Sequence, residues 1–323
     1  MMTESYGKTF GFAAAHDAPI PYLHRIRTYY ETLGYEAPYE WAHYSEVPFQ
    51  PLRKPLSKSQ VTIITTAAPY QPEKGDQGPS APYNAAAKFY SVYSGDTTKN
   101  HDLRISHVAI DRKHTTAEDP ATYFPLTELR KCAAAGRIAS FAPRFHGVPT
   151  NRSHRVTLEV DGPEIVARCK ADGVDAVILV PNCPVCHQSV SLAARILETN
   201  GIATVVVGCA KDIVEYIGVP RFLFSDFPLG NGAGRPKDPE SQSFTLELAL
   251  RIIETAPAAR TTVQSPLRWN DNADWKLDYC NIARLSPEEI SQRRAEFDKG
   301  KSQAKGLRDA AGDTRSNAKD EVA

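Results

Sequence analysis

The sequence is short of the features that mark several large protein classes. It has 6 cysteines in 323 residues, too few for the disulfide framework of a small secreted fold. It has no excess charge, because 38 Lys and Arg stand against 38 Asp and Glu. A nucleic-acid binder carries a basic footprint, and none is visible at the level of the chain. No apolar run approaches the roughly 18 residues that a membrane-spanning helix needs. Residues 1–10 are polar and lack the basic-then-apolar pattern of an export signal. These absences lead to the expectation of a cytoplasmic protein that binds neither nucleic acid nor membrane.

What is present is a globular α/β pattern. The chain is 41% hydrophobic and 24% charged, as in ordinary water-soluble proteins, and long enough for two α/β units or one large one. From about residue 155 it alternates regularly. Gly162-Pro163 opens a helix that Gly173 closes, and strand 174–180 follows. Helix 185–200 stops at Gly201, then strand 202–207, short helix 213–217, strand 221–225 and helix 241–254. Continuously apolar strands between helices are the mark of a parallel sheet covered on both faces.

The first part is less regular. Residues 20–33 have helical apolar spacing and end at Gly34, and a proline-rich connector spans 38–55. Residues 60–66 are a β-branched strand, and 71–100 form a long loop rich in Gly, Pro, Ser and Asn. A loop of that length inside a domain is usually functional. Strands are expected at 105–110 and 138–142, with a helix at 124–135 between them. Residues 259–283 read as a packing tail. Ser286-Pro287-Glu288-Glu289 carries a helix cap, a first-turn proline and a capping-box glutamate. The expected architecture is two Rossmann-like or flavodoxin-like parallel-sheet halves with helices on both faces, 1–150 and 151–285. A charged helical tail, 286–323, would follow, its last part disordered.

Cys183-Pro184-Val185-Cys186-His187 stands where strand 174–180 runs into the next helix. In parallel sheets, ligands gather at the carboxyl ends of strands. Free amides and the helix dipole favour an anion there, so the Cys183 thiol is expected to be acidified. A second cysteine one turn on can resolve a mixed disulfide. Other readings stay open. Cys183, Cys186 and His187 could ligate zinc or an iron–sulfur cluster, although such sites usually want four ligands. A cofactor-independent racemase or lyase could use Cys183 and Cys209 as acid and base. Cys132 and Cys169 read as packing thiols.

Several other polar residues are candidates for binding a small polar substrate. Thr65 and Thr66 end the first strand. Asp96 and His107 belong to a dense run of His and Asp, and His107 falls within an apolar stretch. Arg144 and His146 follow the expected strand 138–142, where an arginine could clamp a carboxylate. Asp226 ends strand 221–225. Gly230-Asn231-Gly232-Ala233-Gly234 fits neither phosphate-binding fingerprint and reads as a flexible loop over the site.

The chain also resembles the selenoprotein B subunits of glycine, sarcosine and betaine reductases, with D-proline reductase as a relative. The matching stretches run in order from about residue 55 to 255. They include 55–66, Gly95-Asp96, 103–107, 124–129, 138–146, 172–179 and 228–231. In that family the redox motif is selenocysteine, two residues, then cysteine; Cys183 falls on the first position and Cys186 on the second. The resemblance implies a thiol-dependent reductase or reductive lyase, with Cys183 as nucleophile and Cys186 as resolving thiol; His187 could serve as a local acid or base or be only a helix residue. No tightly bound cofactor and no dedicated metal are expected, with an external dithiol as reductant. A pyruvoyl-bearing partner subunit or a carrier protein is implied too, and a homo-oligomer is expected.

Overall fold

The computed structural model describes residues 17–310 except 36, 38, 151 and 152. In chain order the strands are β1 (Gln60–Thr65), β2 (Ala68–Pro69), β3 (Tyr93–Asp96), β4 (Leu103–Arg104), β5 (Ser140–Phe141), β6 (Arg144–Gly147), β7 (Ala176–Val180), β8 (Ala203–Gly208), β9 (Arg221–Phe224) and β10 (Thr261–Gln264). The helices are α1 (Tyr22–Thr32), α2 (Leu126–Ala134), α3 (His154–Val156), α4 (Gly162–Ala171), α5 (Pro184–Thr199), α6 (Lys211–Ile217), α7 (Pro239–Thr255) and α8 (Pro287–Ala310). A wider helical turn, Thr157–Asp161, joins α3 to α4.

The β-branched β1 is the axis of the molecule. It pairs in parallel with β7 from Val61↔Ala176 to Thr65↔Val180. On its other side it pairs with β5 at its start and with β6 at its end. Pro143, which has no N–H to give a ladder, falls in the gap between β5 and β6. The sheet runs β10-β9-β8-β7-β1-β6-β3, with β5 also against β1. Only β3, on the edge, is antiparallel. β7, β8 and β9 are buried along their whole length, which explains their unbroken apolar sequences.

The parallel α/β character expected from the sequence holds. The strands of the two expected halves, however, join in one eight-stranded sheet through β1 and β7. Its order places β6 where the second strand of a 2-1-3-4-5 doubly wound sheet would be. The direction of winding reverses between β1 and β7. A crevice opens at such a reversal, because the helices on either side lie on opposite faces.

Other local expectations changed. Residues 105–110 turn rather than pair, and the only ladder there joins β4 to β2. β3 emerges from the polar loop; as a half-buried edge strand it has no apolar alternation to betray it. The stretch read as a packing tail supplies β10 on β9 before Trp275 and Tyr279 pack, with Tyr279 edge-on to Tyr22 at 5.1 Å. The glycine-rich segment is not a flexible loop. Residues 228–234 are buried, and Ser225 donates to the Gly232 carbonyl at 2.7 Å. The capping box of α8 forms as expected, with Glu289 accepting from the Ser286 amide at 2.8 Å.

The far end of the sheet is held by a buried ion pair. Arg221 Nη1 lies 2.7 Å from Glu198 Oε1, with both side chains at or below 1% exposure. Thr204 donates its hydroxyl to the same oxygen at 2.8 Å, and Arg221 reaches the Gln50 carbonyl at 2.8 Å. Both Nη groups of Arg221 are engaged, while its buried Nε has no hydrogen-bond partner among the described residues, so the pair offsets its desolvation only in part.

Candidate active site

β7 delivers the chain to the crevice at Val180, and Pro181 and Asn182 turn it. The Asn182 amide donates to Thr66 Oγ1 at 3.1 Å, so the end of β1 anchors the turn. Cys183 is the N-cap of α5, and Pro184 takes the first helical position, where its missing N–H costs nothing and its fixed φ suits the helix. The Cys183 Sγ accepts from the Cys186 amide at 3.2 Å, as a cap oxygen would. Cys183 is 4% exposed and Cys186 is 0% exposed, so Cys183 is the outer thiol of the pair.

Two further side chains close around the sulfurs. Thr150 Oγ1 lies 3.2 Å from Cys186 Sγ and 3.2 Å from His107 Nε2. With Cys186 deprotonated, one arrangement of hydrogens satisfies both contacts. His107 Nε2–H donates to Thr150, and the Thr150 hydroxyl donates to Cys186. A His107 ring nitrogen and both Sγ atoms all lie within 4.8 Å of one another. A small cleft lined by Ala68, Lys88, Phe89, Ser106, His107 and Thr150 opens beside them.

This environment splits the two thiols. Burial, and then the hydrogen bond to Cys186, pushes the Cys183 thiol well above its ordinary range. Burial acts on Cys186 in the same sense, but the hydrogen bond from Cys183 and the charge and hydrogen bonding of His107 and Thr150 outweigh it and hold Cys186 well below its ordinary range. Cys186 is therefore the more acidic thiol of the pair, the reverse of what helix position alone suggested. Among the described contacts, Cys183 receives one amide, whereas Cys186 has side-chain donors on several sides.

His187 is a brace. Its Nδ1–H donates to the Cys183 carbonyl at 2.8 Å, and its Nε2 accepts from the Cys209 and Ala210 amides at 2.9 and 3.1 Å. Both ring nitrogens are committed to backbone, and burial lowers the imidazole to about 4. The ring thus ties the start of α5 to the turn after β8. Gly208 makes room for it, since a Cβ there would stand 2.6 Å from His187 Nε2. Cys209 faces the Pro228 carbonyl at 3.8 Å, and burial pushes its thiol to about 12. Burial raises Cys132 and takes Cys169 to about 12.

The remaining sequence candidates separate. Thr66 touches the thiol turn, whereas Thr65 donates to the Tyr123 carbonyl at 3.0 Å. Arg144 follows β5 and begins β6, and it forks onto Asp172 at 2.9 and 3.0 Å. Asp96 pairs with Arg144 in register and closes a turn through Thr98 at 2.7 and 2.9 Å. Both lie toward the amino ends of the strands. His146 is buried against Ser94 at 2.8 Å. Asp226 lies two residues beyond β9 and is bound by Lys276, which also holds Asp17. Thr150 escaped the sequence reading because the expected strand 138–142 covers β5 but not its continuation along β1 in β6. With β6 at Arg144–Gly147, the residues beyond its carboxyl end are the ones that face the crevice.

Residues 29–182 match the family described as Glycine/sarcosine/betaine reductase selenoprotein B. That match carries His107 and Thr150 and stops one residue before Cys183. The D-proline reductase subunit gamma of Acetoanaerobium sticklandii is 30% identical over 221 residues, 68% of this chain and 88% of that protein. The chain belongs to the glycine/sarcosine/betaine reductase selenoprotein B family. This family member is also 26% identical over 224 residues to the glycine reductase complex component B subunit gamma of Carboxydothermus hydrogenoformans, covering 68% of this chain and 49% of that one. The sarcosine reductase complex component B subunit beta of Peptoclostridium acidaminophilum is 26% identical over 211 residues, 62% of this chain and 46% of the relative. The family member thus spans about half the length of these complex B subunits. No solved structure matches it significantly. No helix among its described residues is long and apolar enough to cross a membrane.

Proposed function

We propose that the chain is the thiol-bearing component of a reductase that cleaves a bond in a small polar metabolite. The observation that carries the reading is the buried Cys183–Cys186 pair at the sheet's winding reversal, with Thr150 and His107 donating toward Cys186. Cys183, the outer thiol, is the nucleophile and Cys186 the resolving thiol. With sulfur at 183 where the family carries selenium, Cys183 holds its proton at rest. The Cys186 thiolate is the base within reach to remove it.

Cys186 S⁻ takes the Cys183 proton, and Cys183 S⁻ attacks one atom of the scissile bond. The other fragment leaves with the bonding pair and takes the proton back from Cys186. Cys186 S⁻ then attacks Cys183 Sγ, expels the second fragment as an anion, and closes a disulfide. Two electrons pass from the thiols to the substrate, and an external dithiol restores the pair. A partner subunit that activates or presents the substrate, as the complexes named for the relatives suggest, completes the system. Thr66 positions the turn and His187 positions the helix start.

The test is substrate-driven disulfide formation. Reduced protein is incubated with D-proline, glycine, sarcosine or betaine and the candidate partner, and free thiols are counted. Loss of two thiols per turnover supports the reading, with Cys183→Ser abolishing it and Cys186→Ser, which removes both the base and the resolving thiol, abolishing it too. Turnover with all thiols retained sinks it.

A further inference from the structure

We infer that His107, Cys183 and Cys186 form a three-donor site for a soft divalent cation such as Zn²⁺, and that its occupancy excludes the disulfide. The three residues come from two distant segments, yet their donor atoms all lie within 4.8 Å of one another. Around a tetrahedral zinc with bonds of about 2.3 Å to sulfur and 2.0–2.1 Å to nitrogen, neighbouring donors stand about 3.5–3.8 Å apart. Closing the difference takes about 1 Å of side-chain adjustment.

The donor types fit that ion. Two thiolates and one imidazole make a Cys₂His set, and three protein ligands with one open position are the pattern of catalytic zinc. Soft sulfur donors select against magnesium and calcium, which take oxygen. His107 has a lone pair to offer. Its Nε2 is tied to Thr150 at 3.2 Å, and its buried Nδ1 has no hydrogen-bond partner among the described residues. Thr150 supplies the outer contact that orients such an imidazole. His187, the histidine adjacent in sequence, cannot serve, because backbone groups hold both its ring nitrogens.

A cation here takes both sulfurs at once, so neither is free to attack the other. Bound metal therefore protects the pair from oxidation and blocks the thiol chemistry proposed above. The inference rests on the geometry of the cluster and needs no substrate, so it is tested apart from that reading.

The experiment titrates the reduced full chain with Zn²⁺ against a chromophoric chelator, and in parallel with Co²⁺. The expected result is one tight ion per chain, thiolate-to-cobalt charge-transfer absorption in the wild type, and oxidant-resistant Cys183 and Cys186 until chelator is added. His107→Ala should weaken binding at least about a hundredfold, more than the roughly 10–100-fold carried by a supporting contact. Cys209→Ser, outside the cluster, should leave it unchanged. Absence of a stoichiometric ion, a cobalt spectrum without sulfur bands, or unaltered affinity in His107→Ala would overturn the inference. The cobalt spectrum is read on the wild type, so a poorly folding variant leaves the test intact. If metal fails to bind while substrate still drives the disulfide, the metal site alone is wrong. The converse result removes the reductase reading and keeps the site.

Discussion

Thr150 Oγ1 stands 3.2 Å from Cys186 Sγ, across a sequence separation of 36 residues. The hydroxyl is held on its other side by His107 at 3.2 Å. With His107 donating, the Thr150 proton has one direction left, toward sulfur. A hydrogen bond to a charged group contributes about 1.5–3 kcal/mol. Thr150→Val should therefore raise the pH midpoint for alkylation of Cys186 by about 1–2 units. Thr150→Ser should restore most of the difference. An unshifted alkylation profile in Thr150→Val would remove Thr150 from the site.

Gly208→Ala tests the brace. The new methyl would meet His187 Nε2 at 2.6 Å, so either the imidazole or the turn after β8 must move. Overpacking of this kind costs about 1–3 kcal/mol. Urea unfolding should show that loss, and Cys186 alkylation should slow at neutral pH as the start of α5 shifts. Wild-type stability in the variant would mean that the ring is not clamped.

Arg221 and Glu198 allow a clean contrast. Arg221→Met leaves the Glu198 carboxylate buried without its cation, and should cost about 3–5 kcal/mol. Adding Glu198→Leu removes the orphaned charge and should recover much of that loss. Additive losses in the double variant would contradict a paired, desolvated origin.

His146 links stability to pH. Burial lowers its imidazole from 6.5 to about 4. The folded state therefore keeps the ring neutral between those values, while an unfolded chain takes up a proton. The stability tied to the neutral ring is present above about 6.5 and is lost as pH falls toward 4, at up to about 1.4 kcal/mol per pH unit. His146→Gln should flatten the stability–pH curve over that window by one proton. His187, lowered to about 4 by its own burial, keeps a second acid-sensitive step in the variant. Parallel curves for wild type and His146→Gln between pH 4 and 6.5 would refute the assignment.

Local signals were legible wherever they reflect local physics. The apolar runs of β7, β8 and β9 show because both faces of the sheet are buried, and Cys183-Pro184 shows as a cap and first turn because capping is set within four residues. β3 and β10 were hidden, since partly buried strands at the sheet edges need no apolar face. Ending the expected strand 138–142 before its continuation in β6 sent attention to Arg144 and His146 when the crevice residue was Thr150.

By itself, then, the amino-acid sequence determined the alternation of strand and helix and the place of the thiol pair at a strand's carboxyl end, because both follow from periodicity and backbone chemistry over a few residues. Tertiary structure decided that one sheet joins the two parts, that His107 rather than His187 faces the sulfurs, and that Cys186 is the more acidic thiol. Those outcomes depend on burial and on donors brought from distant segments, and no local pattern records which side chain will arrive beside a thiol.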